Sequence, residues 1–175
     1  MKPNRKDQLK KLEREILLNS IQATPGVHDL VLILDHLKAG YNIAKIFRTA
    51  EIFSLKKIYI VGTTEFNPYP AKGAIRRVPF EFKKDLEELV KDLDRDGVEI
   101  FVMDTHADIY LHKSTLPKKS AFIFGNEEMG PKVSESIESL VRKIKIKQFG
   151  KTESLNVSVA ASIASYEYIR QRLST

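Results

Sequence analysis

Four short runs in this chain are apolar or nearly so: Leu30 to Leu34, Lys57 to Val61, Val98 to Met103 and Ala121 to Phe124. A strand built from such a run has no polar face and must be covered on both sides. Between the runs, apolar residues recur at helical spacing. Ile43, Ile46, Phe47, Ala50 and Phe53 precede the second run. Leu86, Leu89, Val90 and Leu93, stopped by Gly97, precede the third, and Val133 to Val141 after the fourth reads as a further helix. Strands alternating with helices at this spacing predict an α/β fold with a mainly parallel sheet flanked by helices. No internal repeat, low-complexity tract or second domain interrupts the pattern, so residues 1–175 read as one domain.

The flanking segments follow the same grammar. Residues 4 to 20 form a helix with Leu9, Leu12, Ile16 and Leu17 on one face, ended by Thr24-Pro25-Gly26. Asp35 to Tyr41 is a loop, after which Asn42 is placed to cap a helix. Gly62 to Pro79 is broken by prolines and glycines and carries Arg76 and Arg77. Near the C-terminus, Ile144 and Ile146 alternate with Lys143, Lys145 and Lys147, the mark of a strand. A loop through Gly150 leads to a helix with Val157, Ala160, Ala161, Ala164 and Tyr168 on one stripe. Ser154 and Asn156 stand where that helix begins, and both are good capping residues.

With no cysteine, a disulfide framework and a thiolate metal site are both excluded. There is no long apolar run and no signal-peptide pattern, so a cytoplasmic location without membrane association is expected. The net charge of +6 points to a polyanionic partner. Its distribution is more telling. Lys2, Arg5, Lys6, Lys10, Lys11 and Arg14 crowd the first helix, and Arg142 to Lys151 holds five basic residues with no acidic one. Two such patches favour contact with nucleic-acid phosphates over a merely solvated face.

Several chemistries are ruled out by detail. The stretch I-F-G-N-E-E-M-G-P-K-V, Ile123 to Val133, has the glycine spacing of a phosphate-binding loop. Pro131 displaces the lysine, however, and Val133 replaces the magnesium-binding hydroxyl. The histidines at 28, 36, 106 and 112 lack zinc-ligand spacing, and no metal is expected. Ser154 lies in no nucleophile elbow. What is left is a glycine-bearing loop after a strand, which lets backbone groups approach a small cofactor.

Three ordered stretches carry a resemblance: L-D-H-L-K-A-G-Y-N-I-A-K-I-F-R-T-A-E-I-F-S (Leu34 to Ser54), I-F-G-N-E-E-M-G (Ile123 to Gly130) and S-L-N-V-S-V-A-A with a following Arg-Gln-Arg (Ser154 to Arg172). In order and wording they resemble the signature motifs of the TrmH (SpoU) family of RNA ribose 2′-O-methyltransferases, in the SPOUT superfamily. The resemblance implies a deep trefoil knot over residues 121–172, forming the cofactor-binding region, with residues 1–25 as a basic helical extension. It implies S-adenosylmethionine as cofactor, lined by Thr105, Gly125, Ile146 and Leu155, and a homodimer.

Arg48 matches the family arginine that acts on the ribose 2′-hydroxyl, with Asn42, Glu127, Ser154 and Asn156 at the remaining polar positions. A guanidinium holds its proton across the accessible pH range, so its chemistry is electrostatic support of a developing alkoxide. An ion pair of Arg48 with Glu51 is the structural alternative. Arg170 and Arg172 match terminal arginines that contact RNA, and Lys10 and Arg14 join them from the first helix. Ala44 and Ser54 depart from the family pattern, where glycine commonly stands at the latter. The short segment before the first strand tilts the expected substrate toward tRNA, with rRNA as the alternative. A non-catalytic RNA-binding protein of the same fold is the competing reading, and the intact set of polar residues argues against it.

Overall fold

The computed structural model describes residues 4–126 and 128–173. Its frame is a seven-stranded, all-parallel sheet: β1 (His28–Asp35), β2 (Leu55–Val61), β3 (Phe80–Lys83), β4 (Glu99–Met103), β5 (Ile109–Tyr110), β6 (Ser120–Phe124) and β7 (Val141–Lys145), in the spatial order β3-β2-β1-β6-β4-β7-β5. Residues Leu30 to Leu34 are at most 4% exposed, as their unbroken apolar run requires. Their side chains alternate between two cores. Leu30, Leu32 and Leu34 face a core completed by α1 (Arg5–Gln22), α2 (Gly40–Ile52) and α5 (Val157–Leu173). Val31 and Ile33 face a second, covered by α3 (Leu86–Arg95) and the single turn α4 (Glu135–Glu138).

Several boundaries differ from the sequence reading. Helix α2 begins at Gly40 with Ala39 as its cap, so Asn42 is not a cap but a residue of the first turn, only 1% exposed. The segment 133–141 is not one helix. Only Glu135–Glu138 turns, and Val141 opens β7. That strand starts earlier than the Ile144–Ile146 alternation suggested, and Ile146 lies just beyond it. Strands β3 and β5 pass unrecognised in the sequence because they are short edge strands with no continuous apolar run. Ser54 adopts φ 49°, in the left-handed region that favours glycine. The Ser54 hydroxyl accepts the Val27 amide proton at 3.1 Å, which holds the turn in place.

Helix α1 is part of the domain rather than a detachable extension. Asn4 caps it, accepting from the Asp7 amide at 2.9 Å. Asn19 donates to the carbonyls of Ile75 and Val78. Glu15, 2% exposed, takes a bidentate fork from Arg76 at 2.7 and 2.8 Å. Leu17 departs from its expected inner face and is 64% exposed. The Arg76 fork holds the Glu15 carboxyl below the usual carboxylate range, against the opposing effect of burial.

Arg76→Ala leaves that carboxylate buried without its partner and is expected to lower stability near neutral pH. A carboxyl whose folded pKa is depressed stabilises the fold above its ordinary value of 4.5. That contribution is lost as pH falls through the folded pKa. The gap between wild type and Arg76→Ala in urea unfolding should therefore narrow as the pH drops below that value. A gap that stays constant into the acid range would show that the ion pair does not carry the coupling.

Candidate active site at the strand ends

Because every strand runs the same way, the chain leaves the sheet along one edge, where open α/β sheets place their ligands. Strands β6, β4 and β7 are neighbours, and Gly125, Thr105 and Ile146 each follow one of them within two residues. All three therefore stand at neighbouring strand ends. The Asp104 amide donates to the Ile144 carbonyl at 3.0 Å, fixing the loop that carries Thr105 to the end of β7. Leu155 lies exposed in the loop before α5, and Ser154 beside it is exposed as well.

Gly125 has a reason that the sequence did not supply. A Cβ there would overlap the backbone of Gly130 and Pro131, so the loop closes on itself against this residue. Asn126 organises that closure. Its Oδ1 accepts from the amides of Glu128 at 3.0 Å and Met129 at 3.2 Å, while the Gly130 amide donates to its carbonyl at 2.8 Å. Its Nδ2 reaches across to the His36 carbonyl at 2.9 Å. Sequence reasoning missed Asn126, although Asn followed by Gly four residues later is a turn signal. Glu127, assigned to the site from sequence, lies outside the described residues.

Asp35, at the end of β1, is buried and was also missed. It accepts from the Lys132 amide at 3.1 Å and from His36 Nδ1 at 2.6 Å. With the Asn126 bond and an ion pair of Lys38 with Glu128, these contacts fasten the first motif to the second. A cleft of about 460 Å3 opens beside Asp35, His36, Lys84, Glu87, Lys132 and Ser134. Among the described residues it holds none of those named from the sequence, and it borders the α3–α4 core, whereas Ile146 packs against the other one.

The first and third motifs meet through two asparagines. Asn156 Nδ2 donates to Asn42 Oδ1 at 3.2 Å. Asn156 also caps α5, its Oδ1 accepting from the Ser158 amide at 3.0 Å and the Ser158 hydroxyl at 2.6 Å. The cap and the contact with Asn42 thus fall on the same side chain. Further along, Thr49 and Ser162 share a hydroxyl hydrogen bond at 2.7 Å, locking α2 to α5.

Arg48 lies six residues beyond Asn42, on the exposed side of α2. Glu51 is taken by Arg77 at 2.8 Å, so the alternative ion pair with Arg48 does not form. Arg48 makes no hydrogen bond or ion pair with the described residues. Such a side chain keeps its whole donor fork for a ligand.

The basic residues divide. Lys10 and Arg14 are exposed on α1 and make no ion pair with described residues. Arg170 is exposed but forks onto Glu167 at 2.7 and 2.8 Å. Arg172 donates to the carbonyls of Leu116, Pro117 and Tyr168 and lies 3.3 Å from the Tyr168 ring centroid. A phosphate contact by Arg172 would require those bonds to be given up.

The fold and these contacts define the class of domain, a parallel α/β sheet whose loops are gathered and tied together at one edge. The model of the SpoU rRNA Methylase family matches residues 29–166, and this chain belongs to that family. The chain is 29% identical over 174 residues to the 23S rRNA (guanosine-2′-O-)-methyltransferase RlmB of Coxiella burnetii, covering 95% of this chain and 68% of that protein. It is 30% identical over 153 residues to an uncharacterised tRNA/rRNA methyltransferase of Synechocystis sp., covering 82% of this chain but 38% of that one. The chain therefore spans between about two fifths and two thirds of these relatives. The A. aeolicus TrmH/SpoU tRNA modifying enzyme superposes with a TM-score of 0.76 at 25% identity, over 95% of this chain and 85% of that one.

Gly125→Ala forces a Cβ into the backbone of Pro131 and should lower the unfolding temperature. Asn156→Ala removes a cap worth about 1 kcal/mol and frees Asn42. Thermal unfolding should rank Gly125→Ala as the more damaging, since backbone cannot move aside as a side chain can. The reverse order would mean that the loop opens without cost.

Proposed function

We propose that this chain is the catalytic domain of an S-adenosylmethionine-dependent RNA methyltransferase acting on a ribose 2′-hydroxyl. The observation that carries the reading is the Asn42–Asn156 contact, which brings two distant motifs together on the helix pair that presents Arg48. Family membership supports it, as does the fold shared with the SpoU methyltransferase AviRb of Streptomyces viridochromogenes, solved in complex with AdoMet.

The ledge at Thr105, Gly125, Ile146 and Leu155 fits a cofactor held mainly by main-chain groups. Gly125 holds the loop in shape there, and three adjacent strand ends offer backbone rather than side-chain charge. The cofactor, when bound, supplies an electrophilic methyl group. Arg48 would stabilise negative charge developing on the ribose 2′-oxygen, while the hydroxyl proton would pass to solvent water. Asn42 and Asn156 orient the ribose, with Ser154 and Glu127 completing the polar set. The trefoil knot over residues 121–172 belongs to the same reading. It is supported by the insertion of β6 between β1 and β4 and by the return of α5 onto α2.

A second copy of the chain fits the outer faces of α2 and α5. Tyr41 and Ile52 on one helix, and Val159, Ile163 and Tyr166 on the other, leave apolar surface exposed around Arg48. Burying that surface in a homodimer places Arg48 at the border of the two subunits.

For the RNA, the RlmB relatives act on 23S rRNA, whereas the structural neighbour closer to this chain in length modifies tRNA. Lys10 and Arg14 are the proposed phosphate contacts for either, since Arg170 is held by Glu167.

Transfer of labelled methyl from S-adenosylmethionine to purified tRNA and to 23S rRNA tests the activity and selects the substrate. Arg48→Lys should lose about 100-fold or more in turnover, because lysine lacks the planar fork, with cofactor affinity unchanged. Near-normal turnover in that variant would remove Arg48 from the chemistry. Ile163→Glu should convert a sedimenting dimer to monomer and reduce turnover. A wild-type monomer would overturn the dimer.

A further inference from the structure

The basic stretch from Arg142 to Lys151 does not act as one patch. Arg142 is neutralised by Glu99 at 2.5 Å and Lys143 by Glu138 at 2.8 Å. Lys145 and Lys147, with Lys113 from the segment after β5, make no ion pair with described residues. Their ammonium groups instead surround the Tyr110 ring, at 5.3, 5.6 and 5.9 Å from its centroid. The His112 ring stacks on Tyr110 at 5.5 Å and 25°. Phe149 is 89% exposed, with Lys147 lying 5.1 Å from its ring. The nearby carboxylate of Glu167 is already committed to Arg170 and Gln171.

We propose that this sheet edge, formed by Tyr110, His112, Lys113, Lys145, Lys147 and Phe149, is a platform for an unpaired segment of RNA. Phe149 and the Tyr110–His112 stack take bases, and the three lysines take phosphates. The naming of RNA as the polyanion rests on the methyltransferase reading.

The chemistry of the patch favours a single strand over a duplex. An aromatic ring in water gains by stacking on a base only if that base is out of its own helix. A duplex, with its bases inside, would use the lysines alone and give Phe149 nothing to do. A lysine that touches a ring and has no carboxylate partner keeps its ammonium available to a phosphate. The platform is continuous with the proposed cofactor ledge, because Ile146 stands between Lys145 and Lys147 and Thr105 leads into β5. A strand lying on the platform thus passes beside the place where the methyl group is delivered.

The test is fluorescence anisotropy of the intact protein with a labelled short oligouridylate and with a loop-free RNA duplex. Variants are Phe149→Ala, Phe149→Trp and the combined Lys113→Gln, Lys145→Gln, Lys147→Gln. Phe149→Ala should weaken oligouridylate about tenfold, within the range for losing one stacking aromatic, and leave duplex binding unchanged. Phe149→Trp should restore it, which separates stacking from local structure. The lysine variant should reduce the logarithmic salt slope by about 2, at roughly 0.7 per lost single-strand phosphate contact. Equal binding of oligouridylate by wild type and Phe149→Ala would overturn the platform. Competition by polyglutamate as effective as that by RNA, and independent of Phe149, would also overturn it.

Cofactor binding by calorimetry and methyl transfer are read in parallel. Loss of stacking in a protein that never transfers methyl leaves the platform standing and removes the enzymatic reading. Normal transfer with a silent Phe149→Ala removes only the platform.

Discussion

The burial of the central strands on both faces governs this molecule. Leu30 to Leu34 and Ala121 to Phe124 have no side open to water, so neither strand can carry polar chemistry along its length. The hydrophilic groups described above accordingly stand at the strand ends, in the loops that follow them or on the covering helices. A parallel sheet sends all its strand exits to one edge, which gathers the loops after β1, β4, β6 and β7 without any of them being adjacent in sequence.

Gathering is not the same as fixing, and the loops are held by a few polar contacts with little redundancy. Asp35 and Asn126 do most of this. The first receives the Lys132 amide and the His36 ring, and the second satisfies three amides of its own loop and the carbonyl of His36. Asn42 and Asn156 make the corresponding link between α2 and the start of α5. Asp35 and Asn42 are buried, where a polar group is costly unless paired, so the contacts hold the loops in one arrangement. Arg48 contrasts with them. Its neighbours Glu51 and Arg77 are matched to each other, which leaves its guanidinium uncommitted among the described residues.

Charge follows the same division between structural and available groups. Glu15 with Arg76, Glu99 with Arg142, and Glu167 with Arg170 are internally matched. Lys10, Arg14, Lys113, Lys145 and Lys147 make no ion pair with the described residues, and they are the cations proposed above to meet a polyanion. Counting basic residues along the chain could not make this distinction, since a partner such as Glu99 is 43 positions from Arg142.

The sequence alone determined the class of fold, because an apolar run without a polar face admits only a doubly covered strand and helical spacing admits only a covering helix. It also determined the places of the three motifs and Asn156 as a cap, since these are written in local order. It erred where local pattern is weak. The edge strands β3 and β5 are too short to carry a periodic signal, and the 133–141 segment has mixed spacing that the pairing of β7 with β4 resolved in favour of a strand. Asn42 looked like a cap because asparagine commonly is one, and only the approach of α5 gave it a different partner. The reason for Gly125, the burial of Asp35 and the availability of Arg48 were decided by tertiary structure. Each depends on what a segment distant in sequence or folded back on itself brings within a few ångströms, and no local pattern contains that.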